Sequence, residues 1–154
     1  MMKKMELKGI ESAYLTLHCG LGNYRTTDVE DLTKHKMESE QMFVDAKCCR
    51  HVNAAQDADR KILAVGSTVM RALEVCVGPD GHIKEFEGWT NKFIFPPYEF
   101  SVADAMLVNF QFPYSTLFML ASAFGGYDHV MGAYKEAIKG EYMFGPYGDA
   151  MLII

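Results

Sequence analysis

Ser67, Thr68 and Arg71 follow directly on the apolar run Ile62–Val65, separated from it only by Gly66. Four consecutive apolar residues read as a strand buried on both faces, which the glycine ends. Ser67 and Thr68 then cap the first turn of a helix that turns Met70, Ala72 and Leu73 inward. Free N–H groups at such a helix start, two hydroxyls and Arg71 one turn in suit a phosphate, a carboxylate or a ribose hydroxyl. A capped helix in a parallel sheet, with Arg71 solvated or ion-paired, is the plainer structural reading, and the spacing leaves both open.

Other polar groups recur at the same structural place, just past a strand. His18 follows Leu17, and Asn109, Gln111 and Ser115 follow Val108. In sheets with parallel strands such ends gather into one crevice, which is where ligands bind. Gly20 and Gly22 form a G-x-G after the first strand, but without the third glycine and the helix of a dinucleotide loop they read as a turn that needs small residues. Asp104 and Asp149, each set among small and apolar residues, are expected to be partly buried carboxylates, with turn formation or capping as the alternative. Cys48, Cys49 and His51 lack the paired spacing of a zinc site, and no metal is expected.

The elements that must position these groups are legible in outline. A chain of 154 residues, 49% hydrophobic and 23% charged, is long enough for a single domain, residues 1–154, with a real core. Strands are expected at Ala13–Leu17, Gln41–Val44, Ile62–Val65, Ile83–Phe86, Lys92–Phe95, Met106–Phe110 and the C-terminal Met151–Ile154. Helices are expected at Met1–Lys8, Ala46–Asp57, after Ser67, at Leu117–Phe124 and after Asp128, which caps a helix with Val130, Tyr134, Ala137 and Ile138 on one face. Arg25–Ser39 reads as an exposed, partly helical loop, and Gly78–Gly81 as a turn. The aromatics from Trp89 to Phe100 surround Pro96 and Pro97 and read as core rather than as a base-stacking platform. Alternating strands and helices predict an α/β fold, a mixed and mainly parallel sheet with flanking helices.

Charge narrows the function. The net charge is −5, with 11 basic and 11 acidic residues up to position 77 and 4 against 9 after it, the wrong sign for a free-standing nucleic-acid binder. Four scattered cysteines suggest no disulfide framework. No apolar run reaches the length of a membrane span and the N-terminus lacks a signal-like apolar region, so a cytoplasmic chain with no membrane partner is expected.

Longer stretches carry a more specific signal. YLTLHCGLG (14–22), HKMESE (35–40), ILAVGSTVMRALE (62–74), 88–100, DAMLVNFQFPYSTLFMLASAF (104–124) and YGDAMLI (147–153) occur in this order across nearly the whole chain. In them the chain resembles the C-terminal part of the S-adenosylmethionine:tRNA ribosyltransferase-isomerase family of queuosine biosynthesis. The resemblance implies transfer of the ribosyl group of S-adenosylmethionine to 7-aminomethyl-7-deazaguanine in tRNA. Isomerisation of that group gives epoxyqueuosine, with adenine and methionine released. It implies S-adenosylmethionine as substrate and tRNA as partner. It also implies an incomplete, barrel-like half of a larger catalytic domain whose N-terminal half and inserted β-domain are absent. Such a sheet has open edges and invites homo-oligomerisation.

The chemistry needs a base beside the sulfonium, an acid for adenine and donors for ribose oxygens. On the matching motifs, His18, Glu40 and Asp149 are the proton-transfer candidates. Gly20, Gly22, Ser67, Thr68, Arg71, Asn109, Gln111, Ser115 and Thr116 are the ligand-binding ones. Gln111 stands where the family usually has histidine, which keeps a hydrogen bond but removes a titrating group. A truncated relative that binds nucleotide or tRNA without turnover is the alternative.

Overall fold

The structure, a computed structural model, describes residues 1–23 and 26–154. Arg25, where the polar loop was expected to begin, lies outside the described residues. The fold is mixed α/β, built on two small sheets. The first has the order β1 (Thr16–Leu17), β2 (Glu40–Val44) and β4 (Phe86–Thr90), antiparallel throughout. The second has the order β3 (Leu63–Val65), β5 (Ala105–Asn109) and β6 (Ala150–Ile153), with β3 parallel to β5 and β6 antiparallel to it. A mainly parallel sheet is therefore not what forms: among the described strands only β3 and β5 run parallel. The reason lies in the connections, because only the segment from β3 to β5 carries a helix that crosses over between parallel neighbours.

Among the described residues five α-helices accompany the sheets: α1 (Met2–Glu6), α2 (Ala46–Asp57), α3 (Ser67–Cys76), α4 (Thr116–Gly125) and α5 (Tyr127–Lys139). Asp45 starts α2 by accepting the Cys48 N–H at 2.7 Å. Helices α2, α3 and α4 close over the inward faces of both sheets. Met42, Val44, Ala64, Met70, Leu73, Met106, Val108 and Leu120 form one core there, and the buried thiols of Cys48, Cys49 and Cys76 belong to it. A second cluster of Phe110, Phe118, Val130, Tyr134 and Ala137 packs α5 onto α4.

Several local expectations are corrected. Ser67 and Thr68 do not cap α3: Gly66, at φ +107°, is its N-cap residue and no side chain completes the turn. Asp128 lies inside the first turn of α5, with Gly126 as N-cap, and Ile138 faces outward. The strand expected at Ile83–Phe86 is a single bridge between Val77 and Ile83, and Lys92–Phe95 is not a strand. There, the Lys92 ammonium donates to the Glu74 carbonyl at 2.7 Å and the Phe93 ring packs on His35. The strand at residues 62–65 is buried on one face only: Ala64 is buried while Leu63 and Val65 are exposed.

Candidate functional site

The β1 strand ends at Leu17, and the next residues run across the start of α3. The His18 backbone N–H donates to the Gln41 carbonyl at 2.9 Å, leaving an exposed imidazole edge-on to Phe43, with ring centres 5.9 Å apart. The loop then turns inward. Glu40, at the head of β2, receives it with one carboxylate oxygen, which accepts the Gly20 N–H at 2.5 Å and the Asn23 amide at 2.7 Å. Its other oxygen takes a hydrogen bond from the Arg71 guanidinium, and both side chains of this pair are 3% exposed. Arg71 also lies 3.1 Å from the sulfur of Met37. Gly20 thus serves through its N–H, whereas Gly22 serves through its size: a Cβ there would meet the Glu38 side chain at 3.2 Å.

Cys19 and Thr68 join the same cluster. Partial burial raises the Cys19 thiol above its ordinary pKa, as does the Glu40 charge; Arg71 and the Thr68 hydroxyl act in the opposite direction. Ser67 is buried and Thr68 half-buried at the first turn of α3, where main-chain N–H groups emerge. This end of the molecule therefore collects Gly20, Gly22, Glu40, Ser67, Thr68 and Arg71, while the His18 ring, against Phe43, lies on the other face of β2 from Glu40.

The remaining predicted residues sit at the end of β5 and the start of α4, beside the first group. The Gly66 N–H donates to Leu107 O at 2.8 Å, where β3 ends, while β5 runs two residues further to Asn109. The 3-10 turn Leu21–Asn23 packs on α4, and Thr26 bridges to Ser115. Here most polar groups are committed to structure. Ser115 caps α4, accepting the Phe118 N–H at 3.2 Å while its hydroxyl donates to Phe112 O at 2.7 Å. The Asn109 amide donates to the carbonyls of Gly148 and Asp149 at 3.1 and 3.2 Å. Asp149 accepts the Met143 N–H at 2.8 Å, so its carboxylate closes the 143–149 loop. Gln111 is buried, and its N–H donates to the Tyr134 hydroxyl at 2.7 Å.

Asp104, expected to be partly buried, is exposed. It pairs with Lys61 at 2.7 Å and accepts the Ile62 N–H at 2.9 Å, which holds its carboxyl below the usual range. Among the described residues, no three His, Cys, Asp or Glu side chains gather as a metal site, and no helix is long and apolar enough to cross a membrane. A cavity of about 500 Å³ along α2, lined by Arg50, Asn53, Asp57 and Lys84 among others, contains none of the predicted site residues.

Two residues, Asn23 and Glu74, escaped sequence reasoning. Asn23 and the predicted Thr116 each keep a buried oxygen, Oδ1 and Oγ1, without a hydrogen-bond partner among the described residues, an arrangement that demands a reason. Glu74, 1% exposed, accepts the N–H groups of Ser101 and Val102 at 2.9 and 3.2 Å and the Tyr98 hydroxyl at 3.1 Å, fastening the Pro96–Pro97 loop to α3. Its signal was available: Arg71 and Glu74 are charges one turn apart on a helix that is otherwise nearly all apolar. Asn23 carries no such mark.

Comparison with known proteins places this arrangement. A family model described as "Queuosine biosynthesis protein" matches residues 1–153. Proteins of Phocaeicola vulgatus and Bacteroides fragilis named S-adenosylmethionine:tRNA ribosyltransferase-isomerase are each 64% identical over 154 residues, which is 100% of this chain and 44% of the relative. The crystal structure of S-adenosylmethionine tRNA ribosyltransferase from Thermotoga maritima superposes with a TM-score of 0.79 at 36% identity, over 99% of this chain and 48% of that one. The chain thus spans less than half the length of the curated relatives it matches.

Proposed function

This chain belongs to the queuosine biosynthesis protein family, and from that premise we propose that it supplies part of the active site of an S-adenosylmethionine:tRNA ribosyltransferase-isomerase. The reaction would carry the ribosyl moiety of S-adenosylmethionine to 7-aminomethyl-7-deazaguanine in tRNA and rearrange it to give epoxyqueuosine, in the cytoplasm. The observation that carries the reading is the buried Glu40–Arg71 pair, which locks the His18–Asn23 loop against the first turn of α3.

In this reading Glu40 and Arg71 are positioning residues, because each is spent on the other. Glu40 therefore leaves the list of proton-transfer candidates, and so does Asp149, whose carboxylate closes its own loop. His18 remains: its imidazole is exposed, backed by Phe43 and adjacent to the loop that Glu40 fixes. It takes or gives the proton near the sulfonium carbon or the departing adenine. Thr68 and the N–H groups opening α3 meet ribose oxygens, since a helix start offers donors without partners in the helix. Asn109, Gln111 and Ser115 shape the neighbouring wall, beside the buried oxygens of Asn23 and Thr116 that lack a partner among the described residues.

The chain is on this view the C-terminal portion of the family's catalytic domain. The N-terminal half and an inserted β-domain complete it, and the two small sheets join a larger barrel-like arrangement. The 44% coverage of the relatives also favours a second reading, binding of nucleotide or tRNA without turnover. Adenine release from S-adenosylmethionine with substrate tRNA, measured for this chain and for a chimera in which it replaces the matching part of the Phocaeicola vulgatus relative, separates the two. Release by the chimera supports the enzyme reading. S-adenosylmethionine binding by calorimetry with no release in either form supports the second, and neither binding nor release refutes both.

A further inference from the structure

Trp89, read from the sequence as core, stands outside it: the side chain is 67% exposed on β4. The register shows what surrounds it. On β2 the buried residues Glu40, Met42 and Val44 alternate with Gln41 and Phe43, so the latter two point out of the sheet β1-β2-β4. Gln41 lies opposite Trp89, Phe43 lies opposite Glu87, and Thr16 meets Phe43 from the β1 side. The His18 ring stands edge-on to the same Phe43. Two cross-strand rows thus place an exposed indole, a half-buried phenyl ring, an amide, a carboxylate and an imidazole on one outward face. Residues directly opposite are about 5 Å apart and those two along a strand about 7 Å, which is the scale of one nucleobase. A face meant for another protein layer keeps charge out of its middle, and Glu87 stands beside Trp89. A face meant for phosphates is basic, and this chain has a net charge of −5. Recognition of a base fits both facts: aromatic rings stack on unpaired bases, and amides and carboxylates read their edges.

We propose that the outer face of β1-β2-β4 holds the unpaired guanine-type base of tRNA that receives the ribosyl group. Trp89 stacks on the ring system. Glu87 accepts from the N–H groups at N1 and N2 of the base, and the Gln41 amide donates to its O6 carbonyl. A guanine edge presents donors and one carbonyl acceptor in that combination, whereas an adenine edge presents one amino donor beside a ring-nitrogen acceptor. Trp89, Gln41 and Glu87 are binding residues in this assignment and move no proton. His18 shares the face, so the imidazole lies on the side where the base sits. The assignment rests on the reading of the chain as part of a tRNA-modifying enzyme, and it gives the base a place that the residues at the start of α3 do not provide.

Trp89 is the only tryptophan of the chain, so its fluorescence reports on this face alone. Titration with an RNA hairpin that carries one unpaired guanine in its loop should quench it saturably, and replacing that guanine by adenine should weaken binding about tenfold. Glu87→Gln should erase most of that preference. With a dye-labelled hairpin followed by anisotropy, Trp89→Ala should weaken binding about 5- to 150-fold and Trp89→Phe far less. These side chains already meet water, so each variant should keep the parent's melting temperature. In the chimera, Trp89→Ala should raise the KM for tRNA and leave the KM for S-adenosylmethionine unchanged, a split that a merely structural role would not produce. Quenching that is absent, or equal for guanine and adenine, would overturn the inference, as would a chimera whose KM for tRNA ignores Trp89→Ala. Guanine-dependent binding together with a chimera that releases no adenine supports the base-holding face while refuting turnover. Adenine release with an indifferent Trp89→Ala does the reverse.

Discussion

Replacing Glu40 by Gln removes one charge from the best-buried ion pair among the described residues while keeping an acceptor for the Gly20 N–H and the Asn23 amide. Arg71 is 2% exposed, and its other neighbour of note is a thioether. Its charge would then lie in the interior without a counter-ion. Removing one partner of a buried pair costs about 3–5 kcal/mol, against roughly 0–1 kcal/mol for an exposed one. For a domain of this size about 1 kcal/mol corresponds to roughly 2–4 °C, so the E40Q chain should melt roughly 6–20 °C lower. The double variant E40Q/R71M separates charge from shape, since Met fills much of the guanidinium's volume and leaves no buried cation. It should recover part of the loss, giving a coupling of about 1–3 kcal/mol in a double-mutant cycle followed by thermal and urea unfolding. Should E40Q melt within a degree of the parent, or R71M add its full cost on top of E40Q, the pair would not be what holds the loop to α3.

Four free cysteines give a second check: burial drives the Cys48 thiol up to about 11 and Cys76 up to about 12, and it raises Cys49 as well. A disulfide reagent at pH 8 should therefore modify one thiol of the native chain, the exposed Cys19, and the other three only after unfolding. Gly148→Ala should destabilise by about 2–3 kcal/mol, because a Cβ there would stand 2.2 Å from the Met143 carbonyl oxygen and force open the loop that Asp149 closes. The folded carboxyl of Asp104 titrates below its unfolded value, so its contribution is present above the unfolded pKa and is lost as pH falls through the folded one. Asp104→Asn should flatten the acid limb of the stability profile in that window by less than about 1 kcal/mol, since the pair with Lys61 is exposed.

Elements with local punctuation were legible. Helix α2 occupies the expected residues 46–57, and β2, β5, α4 and α5 fall within a residue or two of their expected bounds. Where two local rules competed, sequence misled. Ser67 and Thr68 are good cap residues, but Gly66 takes the positive φ that turns the chain, and the hydroxyls lie inside the first turn instead. The alternation at Ala13–Leu17 is right in kind, yet only Thr16 and Leu17 find partners on β2. Lys92–Phe95 has strand-forming residues but no neighbour left to pair with, since Lys92 is held by Glu74 and Phe93 by His35. Strand direction was not legible, because it depends on which segments meet and not on what any segment contains.

The site divides along the same line. Its gathering at the ends of β3 and β5 follows from topology, which sequence pattern can anticipate. The division of labour within it follows from pairings across 31 residues in sequence, Glu40 with Arg71, which no local spacing announces. That pairing changes the chemistry available. A free Arg71 would have offered a fixed positive charge to a phosphate or carboxylate; neutralised by Glu40, it offers none, which leaves neutral donors at the start of α3. Such a site is poorly suited to hold an isolated anion. The same pair joins β2 of one sheet to α3 of the other, so an orienting role for the loop and a structural role for the domain fall on one contact. Loss of that contact should therefore cost binding and stability together, whereas His18→Gln, at an exposed ring that anchors nothing, should cost turnover in the chimera with the fold intact.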